Sequence, residues 1–452
     1  MARQAPSEPK SGRRRGAMRK SMRRDRWEAV PMRKSLRLFA VIALATAFAA
    51  ASQAARSESV SYRSAQDFQI LADGKTDVGA DLERAIATTA RQGQGLLLPC
   101  GVYLVNSRSV ALPSHARLKG SGACSIIREG PSLSNTQHAV PDPHGVTWKL
   151  VFTNDDWDHG NSDISIANVA FDIRAAPRGK GVTVAIMFTN ASDVSLDQID
   201  IEGGASKGAR SDDGIAFVNS NHYRVANSRV TDIVNACYDN WGNSHDFVID
   251  HNTCDGASNP WPVGILITGM NTDLTPAVIE NANVTNNTIK NVGATGIWVE
   301  GGWNQKKGAD ATYGIVRNAR IVGNLVEGVT RFHGIRVSDA DNITISGNMV
   351  SGVAAAGFVS VTEYQGTQSN LTVTDNRFSD CNQQGGMYPC VQFEKTTHGA
   401  LFEGNRIGGA SYPYGVVVNP GSSNVRILGN SIEKGSRGTV GDAGTNDEVS
   451  NP

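Results

Sequence analysis

The chain has 452 residues, with 43 basic and 43 acidic side chains and a formal charge of zero. The balance is uneven, since residues 1–54 carry 13 Lys/Arg against 3 Asp/Glu and leave 30 against 40 in the remainder. A body this acidic offers no broad field for phosphates, which excludes a general nucleic-acid binder.

At the N-terminus, Met32-Arg-Lys-Ser-Leu-Arg is followed by the apolar run Leu38–Ala51 and then by Ser52-Gln-Ala. A basic stretch, an apolar stretch and small residues in that order form a secretory signal, with cleavage expected after Ala54. The run falls short of the ~20 residues that span a bilayer, so no stable membrane insertion is expected after cleavage. The mature chain is expected to be secreted or periplasmic. Residues 1–31 are Arg-rich and aperiodic, either a long basic lead or an extension upstream of a start at Met32. Six cysteines, at 100, 124, 237, 254, 381 and 390, make an even set of the kind that forms disulfides in exported chains. Pairing between neighbours (Cys100–Cys124, Cys237–Cys254, Cys381–Cys390) is expected where contacts are local, and without a CxxC no zinc site is expected.

Residues 77–90 predict a helix, with Leu82, Ala85 and Ile86 at helical spacing, Thr76 or Asp77 as its cap and Gly93 as its stop. A strand pair is predicted over Gly95–Val105. Residues 125–160 are the least regular, and their Asp155, Asp156 and Asp158 are a possible Ca²⁺ ligand set, though a solvated loop explains them as well.

From Ile164 to about Ile432 one phrase recurs: an alternating apolar run, Gly-Asn or Asn-Asn, an apolar pair, then a Gly that opens a second run. Asn252, Asn287, Asn324, Asn348, Asn376, Asn405 and Asn430 hold the same place in it. A period of this size is a solenoid signal, and alternation by two makes the unit a set of strands. The recurring Asn is expected to form a structural ladder. The predicted helix then covers the open end of the stack. Residues 436–452 lose the period and read as a disordered tail.

The segment DGKTDVGADLERAIATTARQGQGLLLPCGVYLV resembles the start of pectate-lyase-superfamily proteins: Asp-Gly-x-x-Asp, an Ala-Ile helix and a Leu-Pro-x-Gly-x-Tyr turn. With the coils behind it the resemblance covers about residues 66–435. It implies a single right-handed parallel β-helix domain over 55–435, an all-β solenoid with an N-terminal capping helix, in which 66–124 are cap and first coils. The fold hosts lyases, hydrolases, epimerases and phage depolymerases, so it implies no single activity.

In each coil the strand opened by Gly alternates inward and outward residues, giving two outward columns. The sequence register places Ala216, Tyr238, Leu266, Trp298, Arg336, Val359, Gln392 and Val417 in the first, and Val218, Asn240, Thr268, Glu300, Ser338, Val361, Glu394 and Asn419 in the second. Polar and aromatic side chains concentrate at mid-stack: Trp298, Glu300, Arg336 and Ser338, with His333 before and Asp339 after the strand. Trp241, Trp303, Glu363, Tyr364 and Lys395 fall on flanking turns.

Aromatic faces beside carboxylates and an Arg suit a sugar chain. Hydrolysis requires two carboxylates, for which Glu300 and Asp339 are the better spaced pair and Glu300 and Glu394 are too far apart. β-Elimination requires a base and a partner for the uronate carboxylate, for which His333 or Arg336 would serve. Trp298, Trp303, Trp241, Tyr364, Glu363, Glu394 and Lys395 are the expected substrate contacts. Each charged residue also has a plain reading as surface polarity, and Glu300 with Arg336 as a simple ion pair.

Two further segments resemble known families in part. Arg210-Ser-Asp-Asp-Gly-Ile-Ala and Val234-Asn-Ala-Cys-Tyr-Asp-Asn are similar in layout to polygalacturonase motifs, with Asp213 and Cys237 matching and Asn235 and Ala236 in place of the paired acids. Asp239 falls inward in this register, so either the strand shifts by one or Asp239 has a buried partner. Asp142-Pro-His resembles the core of alginate C5-epimerases, but Gly145 follows and the motif precedes the regular coils. The expectation is an exported enzyme that cleaves a uronate-containing polysaccharide by elimination or hydrolysis. The alternatives are a glycan-binding module without catalysis and an epimerase-like modifying enzyme.

Overall fold

The structure, a computed structural model, describes residues 60–134, 147–175, 181–204, 213–256, 262–270, 276–302, 314–361, 367–409 and 411–450. The signal-like segment, the Asp142-Pro-His motif, Trp303, Glu363 and Tyr364 lie outside them.

Helix α1 (Gly79–Arg91) buries Leu82, Ala85, Ile86 and Thr89, the face its spacing predicts. It starts two residues later than predicted, because Asp77 stays extended and accepts the Gly79 and Asn106 N–H groups with one carboxylate oxygen. The chain then winds into a right-handed parallel β-helix. Among the described residues the strands form sheets of 27 and 12 strands, and the strand pairs run parallel between corresponding strands of successive coils. The 12-stranded sheet carries the outward columns on which the candidate site residues lie. Its strands are β1 (Val110–Leu112), β2 (Thr147–Asn154), β3 (Gly181–Thr189), β4 (Asp213–Val218), β5 (Ala236–Trp241) and β6 (Val263–Thr268). They continue as β7 (Ile297–Glu300), β8 (Ile335–Ser338), β9 (Phe358–Ser360), β10 (Val391–Phe393), β11 (Tyr414–Val418) and β12 (Gly438–Asp442).

Alternation decides which residues enter the core. Ile265, Ile267, Ile297, Val299, Ile335 and Val337 are fully buried, each contributing about 1.5–3 kcal/mol by leaving water. Lower in the stack the interior holds rings, with Phe217 stacked on Tyr223 at 3.7 Å and Tyr223 on Phe247 at 4.8 Å between centroids. The opening Gly of each strand is a close-approach position. A Cβ on Gly296 would meet Val326 at 2.4 Å and the Gly334 carbonyl at 2.6 Å, and one on Gly334 would meet Val350 at 2.2 Å.

The recurring dipeptide divides two tasks. Its first residue turns the chain through a left-handed conformation, as at His251, Asn286, Gly323, Gly347, Asp375, Gly404 and Gly429. Gly and Asn tolerate that region best. Its second residue is the buried Asn of the ladder. Asn287 Oδ1 accepts the backbone N–H and the side-chain N–H of Asn252, at 2.9 and 3.1 Å. The same pair of bonds recurs up to Asn430, which accepts from Asn405. Ser228 takes this place one coil earlier, accepting the Ile199 N–H while its own N–H donates to Asn252.

Two sequence expectations are corrected. The stack does not end in a disordered tail at 436: β12 pairs with β11, and Glu448–Ser450 pairs with Arg426–Leu428. That segment is polar and lacks the Asn marker, yet its backbone completes the ladder of hydrogen bonds. In β5 the register shifts by one, because Cys237 and not Ala236 stands where other coils have Gly. Ile215 pairs with Tyr238 and Ala216 with Asp239, so Tyr238 and Asn240 point inward while Asp239 and Trp241 point outward.

The three disulfides join the neighbouring cysteines, Cys100–Cys124, Cys237–Cys254 and Cys381–Cys390. The second pins the start of β5 across the coil. Replacing both Cys237 and Cys254 by Ala is expected to cost about 3 kcal/mol through the freed unfolded-state loop, read as a lower urea midpoint under non-reducing conditions. Among the described residues no helix is long and apolar enough to cross a membrane.

Candidate active site on the outward face

The observed register runs one column through Met187, Ala216, Asp239, Leu266, Trp298, Arg336, Val359, Gln392 and Val417. The second runs through Thr189, Val218, Trp241, Thr268, Glu300 and Ser338. β5 to β8 therefore bring Asp239, Trp241, Trp298, Glu300 and Arg336 into one strip. Although these residues point away from the helix axis, the strip is sheltered: Asp239, Glu300 and Arg336 are 3%, 9% and 8% exposed.

Glu300 lies at its centre. Burial pushes its carboxyl up to about 7, against the pull of Arg336 and with a further push from Asp339. Thr268 and Trp298 adjoin it. Among the described residues Glu300 Oε2, Thr268 Oγ1, Trp298 Nε1 and Ser338 Oγ are buried without a protein hydrogen bond of normal geometry. Thr268 and Trp298 nonetheless lie against the Glu300 carboxyl as its polar neighbours, and polar groups converging in this way suit a hydroxyl-rich ligand. Arg336 lies over the Trp298 ring at 4.3 Å, so one ring face is already covered by a cation. Asp339 closes the strip from behind. Its backbone is left-handed, it is 2% exposed, and Gly301 packs so tightly on it that a Cβ there would lie 2.6 Å from the Asp339 Cβ.

His333 is held neutral, its pKa pushed down to about 3 by burial and by Arg336. Its Nδ1 accepts the Ala356 N–H at 3.3 Å, and Tyr388 meets the ring edge-on at 5.9 Å. That lone pair is committed, so His333 does not present Nδ1 as a base.

A second carboxylate pair lies on the adjoining coils. Asp213 accepts from Ala236 N–H and Asn235 Nδ2, both at 3.0 Å. Asp239 accepts the indole N–H of Trp241. The two aspartates line one small cavity with Trp148, Met187 and Trp241. Trp148 and Trp157 belong to an outward apolar cluster with Met187, Ala216 and Val218, against which Trp241 packs. Sequence reasoning missed both tryptophans, since β2 and β3 are long and carry no Gly-Asn punctuation.

Glu394 and Lys395 lie three rungs from Glu300, about 14 Å along the stack. Glu394 is half-buried near Gln392 Nε2 at 3.5 Å, and Lys395 is exposed. The acidic loop has ordinary internal uses: Asp156 takes the His159 N–H at 2.9 Å, and Asp155 takes Asn161 Nδ2 at 2.7 Å. Among the described residues His222, His245 and Asp246 place ligand atoms within 4.8 Å of one another, a donor set suited to a transition ion rather than Ca²⁺. His222 and Asp246 also occupy successive left-handed turn positions, which gives them a structural reason to stack.

Among solved structures, the A-module of the mannuronan C-5 epimerase AlgE6 of Azotobacter vinelandii superposes with a TM-score of 0.58 at 15% identity, over 86% of this chain and 99% of that one. The surface adhesin PfbA of Streptococcus pneumoniae gives 0.56 at 15%, over 86% and 93%. The tailspike of Escherichia coli bacteriophage HK620, solved with a hexasaccharide, gives 0.58 at 15%, over 81% and 64%. At such identities these likenesses concern the fold. No curated protein sequence matches this chain. Residues 279–451 match the right-handed beta helix region family. Residues 62–304, more than half of the chain, match the family described as rhamnogalacturonase A/epimerase, pectate lyase-like, and it is to this family that the chain belongs.

Proposed function

We propose that this protein is an exported glycoside hydrolase that binds a polysaccharide along the outward strip and cleaves it at Glu300. The observation that carries the reading is the sheltered strip itself: two carboxylates, two indoles and a guanidinium aligned on four successive coils. Burial of three charged side chains, Asp239, Glu300 and Arg336, costs stability, a cost that a ligand offsets.

In this reading Glu300, protonated near neutral pH, donates its proton to the leaving glycosidic oxygen. Asp239, which accepts the Trp241 N–H, takes a proton from the water that attacks the anomeric carbon. The two stand two rungs apart, about 10 Å along the stack, with Leu266 and Thr268 between them. Inversion requires the two carboxyls to stand about 6.5–9.5 Å apart with a water between them, so in this reading the two side chains lean toward one another across that gap. Asp339 tunes Glu300 rather than touching substrate. Elimination is less well supported, because Arg336 stays charged and the His333 Nδ1 lone pair is taken.

Incubating the protein with a panel of neutral and uronate-bearing polysaccharides tests this. The expected product is new reducing ends without ultraviolet-absorbing unsaturated ends, released with inverted anomeric configuration. Unsaturated ends would replace hydrolysis by elimination, and tight binding without product would leave a glycan-binding protein.

A further inference from the structure

Beyond the catalytic strip, the same outward face opens into a cleft of about 490 Å³ at its C-terminal end. Its floor continues the first column through Gln392 and Val417, and its walls are Tyr388, Tyr414, Asn419 and Arg437. These strands lie three to four rungs beyond β7, about 14–19 Å from Glu300 along the stack. Tyr388 joins the two regions, because its ring also meets His333 edge-on.

Arg437 gives the cleft its character. It is exposed, and among the described residues its guanidinium has no carboxylate partner. Its nearest polar contact is Met387 Sδ at 3.6 Å. Outside residues 1–54 the chain has ten more acidic than basic side chains, and most arginines on the other sheet are paired, as Arg117 is with Asp163 and Arg224 with Asp250. An unpaired guanidinium lining one cleft with two tyrosines and two side-chain amides matches a sugar ring that carries an anion. The phenol rings pack on its apolar face, the amides bond its hydroxyls, and the planar fork takes a carboxylate bidentately.

We propose that this cleft is a distal subsite for an acidic sugar unit, with Arg437 binding its carboxylate, so that the protein selects uronate-bearing chains at a point several units from the bond it breaks. This rests on the reading of the outward face as a glycan-binding surface.

The test uses uronate oligosaccharides long enough to span Glu300 to Arg437, each paired with the same chain after reduction of its carboxyls to alcohols. Binding is measured by calorimetry in the Glu300→Gln background and turnover in the wild-type background. The acidic chain is expected to bind at least tenfold more tightly than its reduced partner. Arg437→Gln should abolish that preference and raise KM about tenfold on long acidic chains with kcat unchanged, while Arg437→Lys keeps part of it. Tyr414→Ala should weaken both members of a pair equally. If the protein binds and cleaves but Arg437→Gln leaves the acidic-to-neutral ratio unaltered, the subsite is wrong and the hydrolase reading stands. If it neither binds nor cleaves any chain, the glycan-binding reading fails and the subsite with it.

Discussion

Glu300→Gln is expected to lower kcat on the natural polysaccharide by about 10³-fold, within the range of a lost general acid. The loss should shrink on an aryl glycoside whose leaving group departs without a proton, whereas Asp239→Asn should remain severe on both substrates. The wild-type rate should fall as pH rises through about 7, where the buried Glu300 carboxyl loses its proton. Equal losses for Glu300→Gln on both substrates would remove Glu300 from the acid role.

The same shift makes a stability prediction of opposite sign. The folded-state pKa of Glu300 is raised from 4.5 to about 7, so the native state holds the proton more tightly than the unfolded chain. Below pH 4.5 both states are protonated and the residue costs nothing. Between pH 4.5 and 7 stability falls, and above 7 the full penalty of about 3 kcal/mol applies. Glu300→Gln should therefore equal the wild type near pH 4.5 and exceed it in urea denaturation at pH 8. A residue kept only for its ion pair with Arg336 would behave the other way, since its loss would strand a buried guanidinium. An inactive variant that is also more stable is the signature of a carboxyl retained for chemistry.

Local patterning explains what the chain discloses by itself. Alternation by two sorts Trp298, Glu300 and Arg336 onto the outward face, and the Gly-Asn dipeptide marks the coils, because both follow from backbone geometry that each residue satisfies on its own. Register in β5 is different. It depends on Cys237 filling the place of a glycine, and that place is defined by its disulfide partner Cys254 and by the coils on either side. Asp239 therefore looked misplaced when Tyr238 was the residue that enters the core. The electrostatic setting of Glu300 is likewise not written locally, since Thr268, Arg336 and Asp339 all act on it from tens of residues away. Nor is the neutral state of His333, which depends on Ala356 and Arg336. The tail strands escaped notice for the reason that made them look disordered: at the end of a stack, backbone pairing with the preceding coil orders residues whose side chains bury little.

The Asn ladder carries the largest expected effect on stability, and its position ties it to the site. Asn324 lies between β7 and β8, the strands that carry Glu300 and Arg336. Its Oδ1 accepts the Asn287 backbone and side-chain N–H groups, both at 2.9 Å, and its Nδ2 donates to Val284 O and Asn348 Oδ1, both at 3.0 Å. Asn324→Ala deletes all four bonds where water does not reach, leaving buried donors and acceptors at about 1–3 kcal/mol each. A total loss of about 3–5 kcal/mol is expected, with activity falling alongside. Asn430→Ala removes three bonds, the two its Oδ1 accepts from Asn405 and the one its Nδ2 gives the Phe402 carbonyl, but Asn430 is 7% exposed and ends the ladder, where water reaches the freed groups, so about 1–2 kcal/mol is expected there. Asn324→Asp should be worse than Ala, since its carboxylate still accepts from Asn287 but faces Val284 O and Asn348 Oδ1 without a proton to give. Urea denaturation monitored together with hydrogen exchange separates the possibilities, because a stack of nearest-neighbour units opens next to its weakest interface. If Asn324→Ala and Asn430→Ala cost the same, the amides act one by one as turn residues. A mid-stack penalty several times larger, with exchange rising in β7 and β8 together, means that the ladder holds the coils that carry Glu300 and Arg336 in register.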